Sequence, residues 1–270
     1  MSFRRFLRLP CIVFGLLFLT GSRLAADPVL YICGDSTAAP LRPPIQGWAE
    51  QIGAFLDAAQ IKVQNRALGG RSARTFLSEG RWESVRRQLQ PGDFVILQFG
   101  HNDSKSEISR ARYDLSGIGP ETEEITAEHG EKIQLHTYGY YLRLMVDQAL
   151  AAHAQVMILS SVPRNKWLQG KIVRGEENHA LWARQIAAER KVPFVDANAI
   201  IADYYDRIPP DRLKPLYFPQ DNTHTNPAGA RINAAAVVSG IADQKLPLAA
   251  YIPPEAAEAA ARLLKATPAP

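Results

Sequence analysis

Apolar residues fall in short runs separated by amphipathic stretches, and this alternation continues along most of the chain. Val29–Cys33, Phe94–Phe99 (FVILQF), Val156–Ser160 (VMILS) and Pro193–Val195 are short and apolar, as suits strands covered on both faces. Lys62–Ala67 (KVQNRA) is more polar and reads as a strand from its position. Between these lie helical patterns at Trp48–Ala59, Trp82–Leu89, Tyr140–Ala152 and Glu177–Arg190, with further helices over Ala228–Ile241 and Glu255–Ala266. Strands alternating with helices predict an α/β fold, a three-layer α/β/α sandwich around a central, mainly five-stranded parallel sheet. Two stretches, His101 to Leu135 and Val162 to Gly175, read as long irregular segments. Structureless loops of that length usually serve a function.

The first 26 residues stand apart from this pattern. Arg4, Arg5 and Arg8 precede a ten-residue apolar run, Cys11–Thr20 (CIVFGLLFLT), and Leu24-Ala25-Ala26 offers a small-residue cleavage site. That is the layout of a secretory signal peptide, too short for a comfortable membrane span. The expected organisation is a leader over 1–26, one catalytic domain over 27–248, and a C-terminal helix and tail over 249–270. Cleavage near Ala26 would deliver a secreted or periplasmic protein with no stable membrane association.

Setting the leader aside changes the charge. The chain has 31 basic and 27 acidic residues; the leader holds Arg4, Arg5, Arg8, Arg23 and no acid, so 27 of each remain. A neutral remainder gives no reason to expect a nucleic-acid partner. Cys33 is then the only cysteine, best read as a small core residue, so the fold must rest on its hydrophobic core. About 244 residues suffice for one such core.

The ends of the predicted strands carry the chemistry. Gly34-Asp35-Ser36 follows the first, Leu68-Gly69-Gly70-Arg71-Ser72 the second and Gly100-His101-Asn102-Asp103 the third, while Asp221-Asn222-Thr223-His224 precedes the helix over Ala228–Ile241. In a parallel sheet these blocks meet at the carboxyl edge, where open α/β sheets bind ligands. A serine hydroxyl becomes nucleophilic only with a base, and the base needs a third group to orient it. Asp221 and His224, three residues apart, can supply both. An oxyanion needs N–H donors, which a close-approaching glycine and an asparagine amide provide. A rival arrangement, His101 and Asp103 with Asp221 and His224 as a metal cage, leaves Ser36 and the glycines unexplained. His129, His136, His153 and His179 show no ligand spacing.

As a set, GDS, GG before RS, GHND and DxxH resemble the GDSL-type, or SGNH, hydrolase superfamily, whose fold is flavodoxin-like. The longer strings GDSTAA, GGRSARTF, FGHND, SSVPRNKW and DNTHTNPAGA are similar to its rhamnogalacturonan acetylesterase branch. The resemblance implies Ser36 as nucleophile, His224 as base and Asp221 as its partner. It implies an oxyanion hole from the Ser36 N–H, the Gly70 N–H and the Asn102 amide, with no cofactor and no metal. Gly69 competes with Gly70 for that role; Gly70 is preferred because it directly precedes Arg-Ser-Ala-Arg. No G-x-S-x-G elbow is present. The implied substrate is an acetylated, uronate-containing polysaccharide, acted on by a monomer. Basic loop residues, among them Arg71, Arg74, Lys105 and Arg164, would favour such an anion, and Trp167, Tyr113 and Tyr138 would stack on its sugars. Acetylated xylan, another short-chain ester, or binding without turnover are the alternatives.

Overall fold

The computed structural model describes residues 27–104, 112–126, 130–175 and 178–266. The proposed leader with its cleavage site, Lys105, His129 and the last four residues lie outside these. Five strands form one sheet: β1 (Val29–Gly34), β2 (Lys62–Asn65), β3 (Phe94–Gln98), β6 (Gln155–Leu159) and β9 (Phe194–Val195). Their order is β2-β1-β3-β6-β9, and every pairing is parallel. The α/β class with a five-stranded parallel sheet is therefore as the hydrophobic pattern predicts. β2 is polar because it lies at the sheet edge and pairs only with β1.

Side chains alternate between two apolar layers, as the period of a strand requires. Leu30, Ile32, Phe94, Ile96 and Leu159 point into a core closed by α1 (Ala49–Ile52), α6 (Ala197–Tyr205), α7 (Pro210–Tyr217) and α8 (Pro227–Asp243). Tyr31, Cys33, Val95, Leu97 and Ile158 point into a second core with α2 (Ala73–Ser78), α3 (Arg81–Arg86), α4 (Tyr138–Ala151) and α5 (His179–Arg190). Burial pushes the Cys33 thiol far up, in keeping with a core residue. The last helix, α9 (Pro254–Lys265), adds Ala260 to the first core.

The two segments expected to be irregular each contain a hairpin. Thr122–Thr126 (β4) pairs antiparallel with Lys132–His136 (β5), and Trp167–Leu168 (β7) with Lys171–Ile172 (β8). β4 reads as loop because four of its five residues are exposed and polar. The β7–β8 turn has positive φ at both Gln169 and Gly170, so glutamine stands where asparagine would have announced a type I′ turn. α2, α6 and α7 were also not expected; α2 is one and a half turns long and rests on a capping box between Ser72 and Thr75.

The chain leaves β1 for β2 on one side and returns to β3 on the other. The carboxyl end of β1 is thus the point where strand order reverses, which is where doubly wound sheets form their crevice.

Candidate active site

Ser36 stands one turn beyond β1, and its turn is built by Asp35. The buried Asp35 carboxylate accepts from the Thr37 N–H (2.8 Å) and the Thr37 hydroxyl (2.7 Å), while its carbonyl accepts from Ala38 and Ala39. A buried polar relay supports the turn from below: Trp48 Nε1 donates to Gln98 Oε1 at 2.6 Å, and Gln98 Nε2 to Thr37 Oγ1 at 3.0 Å. Gly34 is required here, since a Cβ would lie 2.8 Å from the Gln98 carbonyl. Ser36 is left half-buried between buried neighbours.

The loop before α8 brings His224 to it. Nε2 of His224 lies 2.8 Å from Ser36 Oγ, and Nδ1 lies 2.6 Å from Asp221 Oδ2. The other Asp221 oxygen accepts the backbone N–H groups of Thr223 and His224, each at 2.7 Å. Partial burial pushes this carboxyl up, but the hydrogen bonds from the His224 ring and these two N–H groups win and hold it below the usual carboxylate range. An ionised Asp221 takes Nδ1–H, which leaves Nε2 free to accept the serine proton. Asn226 caps α8 by accepting from Gly229, with Pro227 at the first helical position.

Asn102 and Gly70 reach the same edge from β3 and β2. Asn102 Nδ2 donates to the Arg71 carbonyl at 3.1 Å, fixing the amide and leaving its second hydrogen for another acceptor. Gly70 has φ +77°, and a Cβ there would meet the Arg112 guanidinium at 2.8 Å. At Gly69 a Cβ would lie 3.7 Å from Ser36 Cβ, so Gly69 adjoins the serine directly and Gly70 follows it on the same loop.

The four groups weighed as a metal cage are not gathered. Asp103 is buried, accepting from Ala73 N (2.7 Å) and Gly100 N (2.8 Å), while Asp221 and His224 engage each other and Ser36. Among the described residues, no group of three or more His, Cys, Asp or Glu is placed to hold an ion. Asp103 has a different neighbour, which sequence reasoning missed: the buried carboxyl of Asp114. Burial raises both, and the neighbouring Asp103 charge raises Asp114 further, so Asp114 is the carboxyl that keeps its proton more readily. His101 is held below its ordinary value by burial first, with Asp35 opposing and the Arg164 charge adding to the depression.

The expected sugar contacts fare unevenly. Arg71 ion-pairs with Glu79 at 2.9 Å and also donates to the Gly69 carbonyl. Arg74 is buried, its Nε bonded to the Tyr113 carbonyl, so it belongs to the scaffold rather than to an open crevice. Tyr113 and Tyr138 are also buried, Tyr138 within the apolar layer around α4. Trp167 is half-buried against the first core and donates to Asn165 Oδ1. Arg164 reaches Thr223 Oγ1 and the His101 carbonyl.

The chain is 34% identical over 224 residues to the rhamnogalacturonan acetylesterase of Emericella nidulans, covering 81% of this chain and 88% of that one. It is 29% identical over 238 residues to the rhamnogalacturonan acetylesterase RhgT of Bacillus subtilis, covering 81% and 91%. Among solved structures, Bacillus subtilis YxiM superposes with a TM-score of 0.67 at 25% identity, over 82% of this chain and 58% of that longer one. Axe2, an acetyl-xylooligosaccharide esterase from Geobacillus, shares the fold at 19% identity with a TM-score of 0.54, over 79% and 94%. Residues 32–232 match the model of the GDSL-like lipase/acylhydrolase family, and the chain belongs to that family of carboxylic ester hydrolases.

Proposed function

We propose that this chain is an exported serine acetylesterase that removes acetyl groups from an acetylated pectic polysaccharide. The observation that carries the chemistry is the unbroken line from Asp221 through His224 to Ser36, with contacts of 2.6 and 2.8 Å. Ser36 Oγ attacks the acetyl carbonyl while His224 Nε2 takes its proton, and Asp221 stabilises the imidazolium. The Ser36 N–H, Gly70 N–H and Asn102 amide receive the oxyanion. Collapse expels the sugar hydroxyl, which leaves with the proton from His224, and Ser36 stays acetylated. His224 then deprotonates a water that attacks the acetyl carbonyl. Acetate departs and Ser36 recovers its proton, so no cofactor is consumed.

The choice of polymer is supported by the two relatives named as rhamnogalacturonan acetylesterases, which align over most of the chain. Export is supported by the basic and apolar pattern of residues 1–26. The test is acetate release from acetylated rhamnogalacturonan beside acetylated xylan. The proposal predicts release from the pectic polymer at a kcat/KM well above that for xylan. Preference for xylan would overturn the assignment of substrate, and no release from either would overturn the activity.

A further inference from the structure

The mechanism above gives Arg164 no task, yet its guanidinium spans two of the site's loops. We propose that Arg164 is a positioning residue that sets the separation between the base and the oxyanion-binding amide. Nη1 donates to Thr223 Oγ1, and Nη2 donates to the His101 carbonyl at 3.3 Å. Each contacted residue stands immediately before a residue of the site: Thr223 before His224, and His101 before Asn102. One rigid fork therefore ties the loop that carries the base to the loop that carries the amide.

The neighbouring residues complete the tie. Asn165 N–H donates to the Asn222 carbonyl at 2.7 Å, and Trp167 Nε1 steadies Asn165 through its Oδ1 at 2.8 Å. From the opposite flank, the Gln46 N–H donates to the Thr225 carbonyl at 2.7 Å, and Thr225 Oγ1 donates to the Gln46 carbonyl at 3.3 Å. The loop is thus gripped at Asn222, Thr223 and Thr225. It needs such a grip because packing supplies little: the side chains of His224 and Asp221 are 24% and 46% exposed. Arginine suits the task because its planar fork offers donors in fixed directions at once, whereas lysine is a point charge on a flexible stem. A shift of the base by about 1 Å is enough to cost roughly a hundredfold in rate.

This inference rests on the serine-esterase reading, and the experiment separates the two. Wild type, Arg164→Lys, Arg164→Met, Thr223→Val and Ser36→Ala are assayed on 4-nitrophenyl acetate, a small uncharged ester, and on the acetylated pectic polymer. Thermal midpoints are measured in parallel. Both Arg164 variants should lose roughly 10- to 100-fold in kcat on both substrates, with KM nearly unchanged and lysine failing to rescue. Thr223→Val, which removes one acceptor with little change of shape, should show a smaller loss of the same kind at an unaltered midpoint. Wild-type kcat in the Arg164 and Thr223 variants would overturn the proposal. So would a rise in KM confined to the anionic polymer, which would make Arg164 a substrate contact instead. Activity retained by Ser36→Ala would overturn the underlying reading whatever the Arg164 variants do.

Discussion

The oxyanion role proposed for Asn102 is one that its surroundings make testable. One amide hydrogen is spent on the Arg71 carbonyl, so the side chain is aimed before any substrate arrives. Such preorganisation is what makes an oxyanion donor effective. Asn102→Ala should lower kcat by roughly 10²–10³-fold with little change in KM. Undiminished turnover in steady-state assays would remove the amide from the mechanism. Ser36, His224 and Asp221, which the structure brings into contact, are legible in the sequence because each sits in a short motif whose residue types match one chemical task; the parts proposed for Gly70 and Asn102 rest on the same kind of motif. Arg164 reads in the sequence as a basic loop residue that would bind an anionic substrate, since nothing in its local sequence reports which carbonyl or hydroxyl its long side chain reaches. Tyr138 misled for a related reason: an aromatic near a strand end reads as a sugar platform, and only the packing around α4 shows it is buried.

At the scale of elements, the carboxyl pair of Asp103 and Asp114 joins three pieces of the site's support. Asp103 accepts from Ala73 at the start of α2 and from Gly100 after β3, while the Asp114 N–H donates to the Asp103 carbonyl at 2.9 Å. The pair has a consequence for stability. Burial raises both groups, Asp103 to about 7 and Asp114 well above its ordinary value, whereas in the unfolded chain both ionise near 4. The folded state then binds more protons than the unfolded state over that interval, and stability falls as pH rises through it. Asp114→Asn keeps the size and polarity of the side chain and removes one ionisation. Thermal midpoints from pH 4 to 8 should therefore decline less with pH in Asp114→Asn than in wild type; parallel profiles would contradict the raised Asp114 carboxyl. The sequence did not disclose this pair, because two acids eleven residues apart say nothing of a fold that brings them together. The larger elements were easier to read. β1, β3 and β6 are continuous apolar runs buried on both faces, whereas β4 is polar and α2 too short to show a helical period.

For the whole molecule, sheet order explains why distant motifs meet. With order β2-β1-β3-β6-β9, the switch point falls beside β1, so Ser36 has the β2 and β3 loops on either side. α8 packs under the same edge and delivers His224, 188 residues from Ser36 along the chain, to within 2.8 Å. The sandwich thus acts as a rigid frame whose loops carry the chemistry. In the proposed mechanism Ser36 Oγ is the atom acylated and His224 the base that activates it. The most direct measurement is to treat the protein with diethyl 4-nitrophenyl phosphate, which phosphorylates activated serines, and to locate the adduct by peptide mass spectrometry while following acetate release. One diethylphosphoryl group per chain is expected, on Ser36, accumulating in step with the loss of activity and forming far more slowly in His224→Ala. Full inactivation with Ser36 unmodified would contradict it.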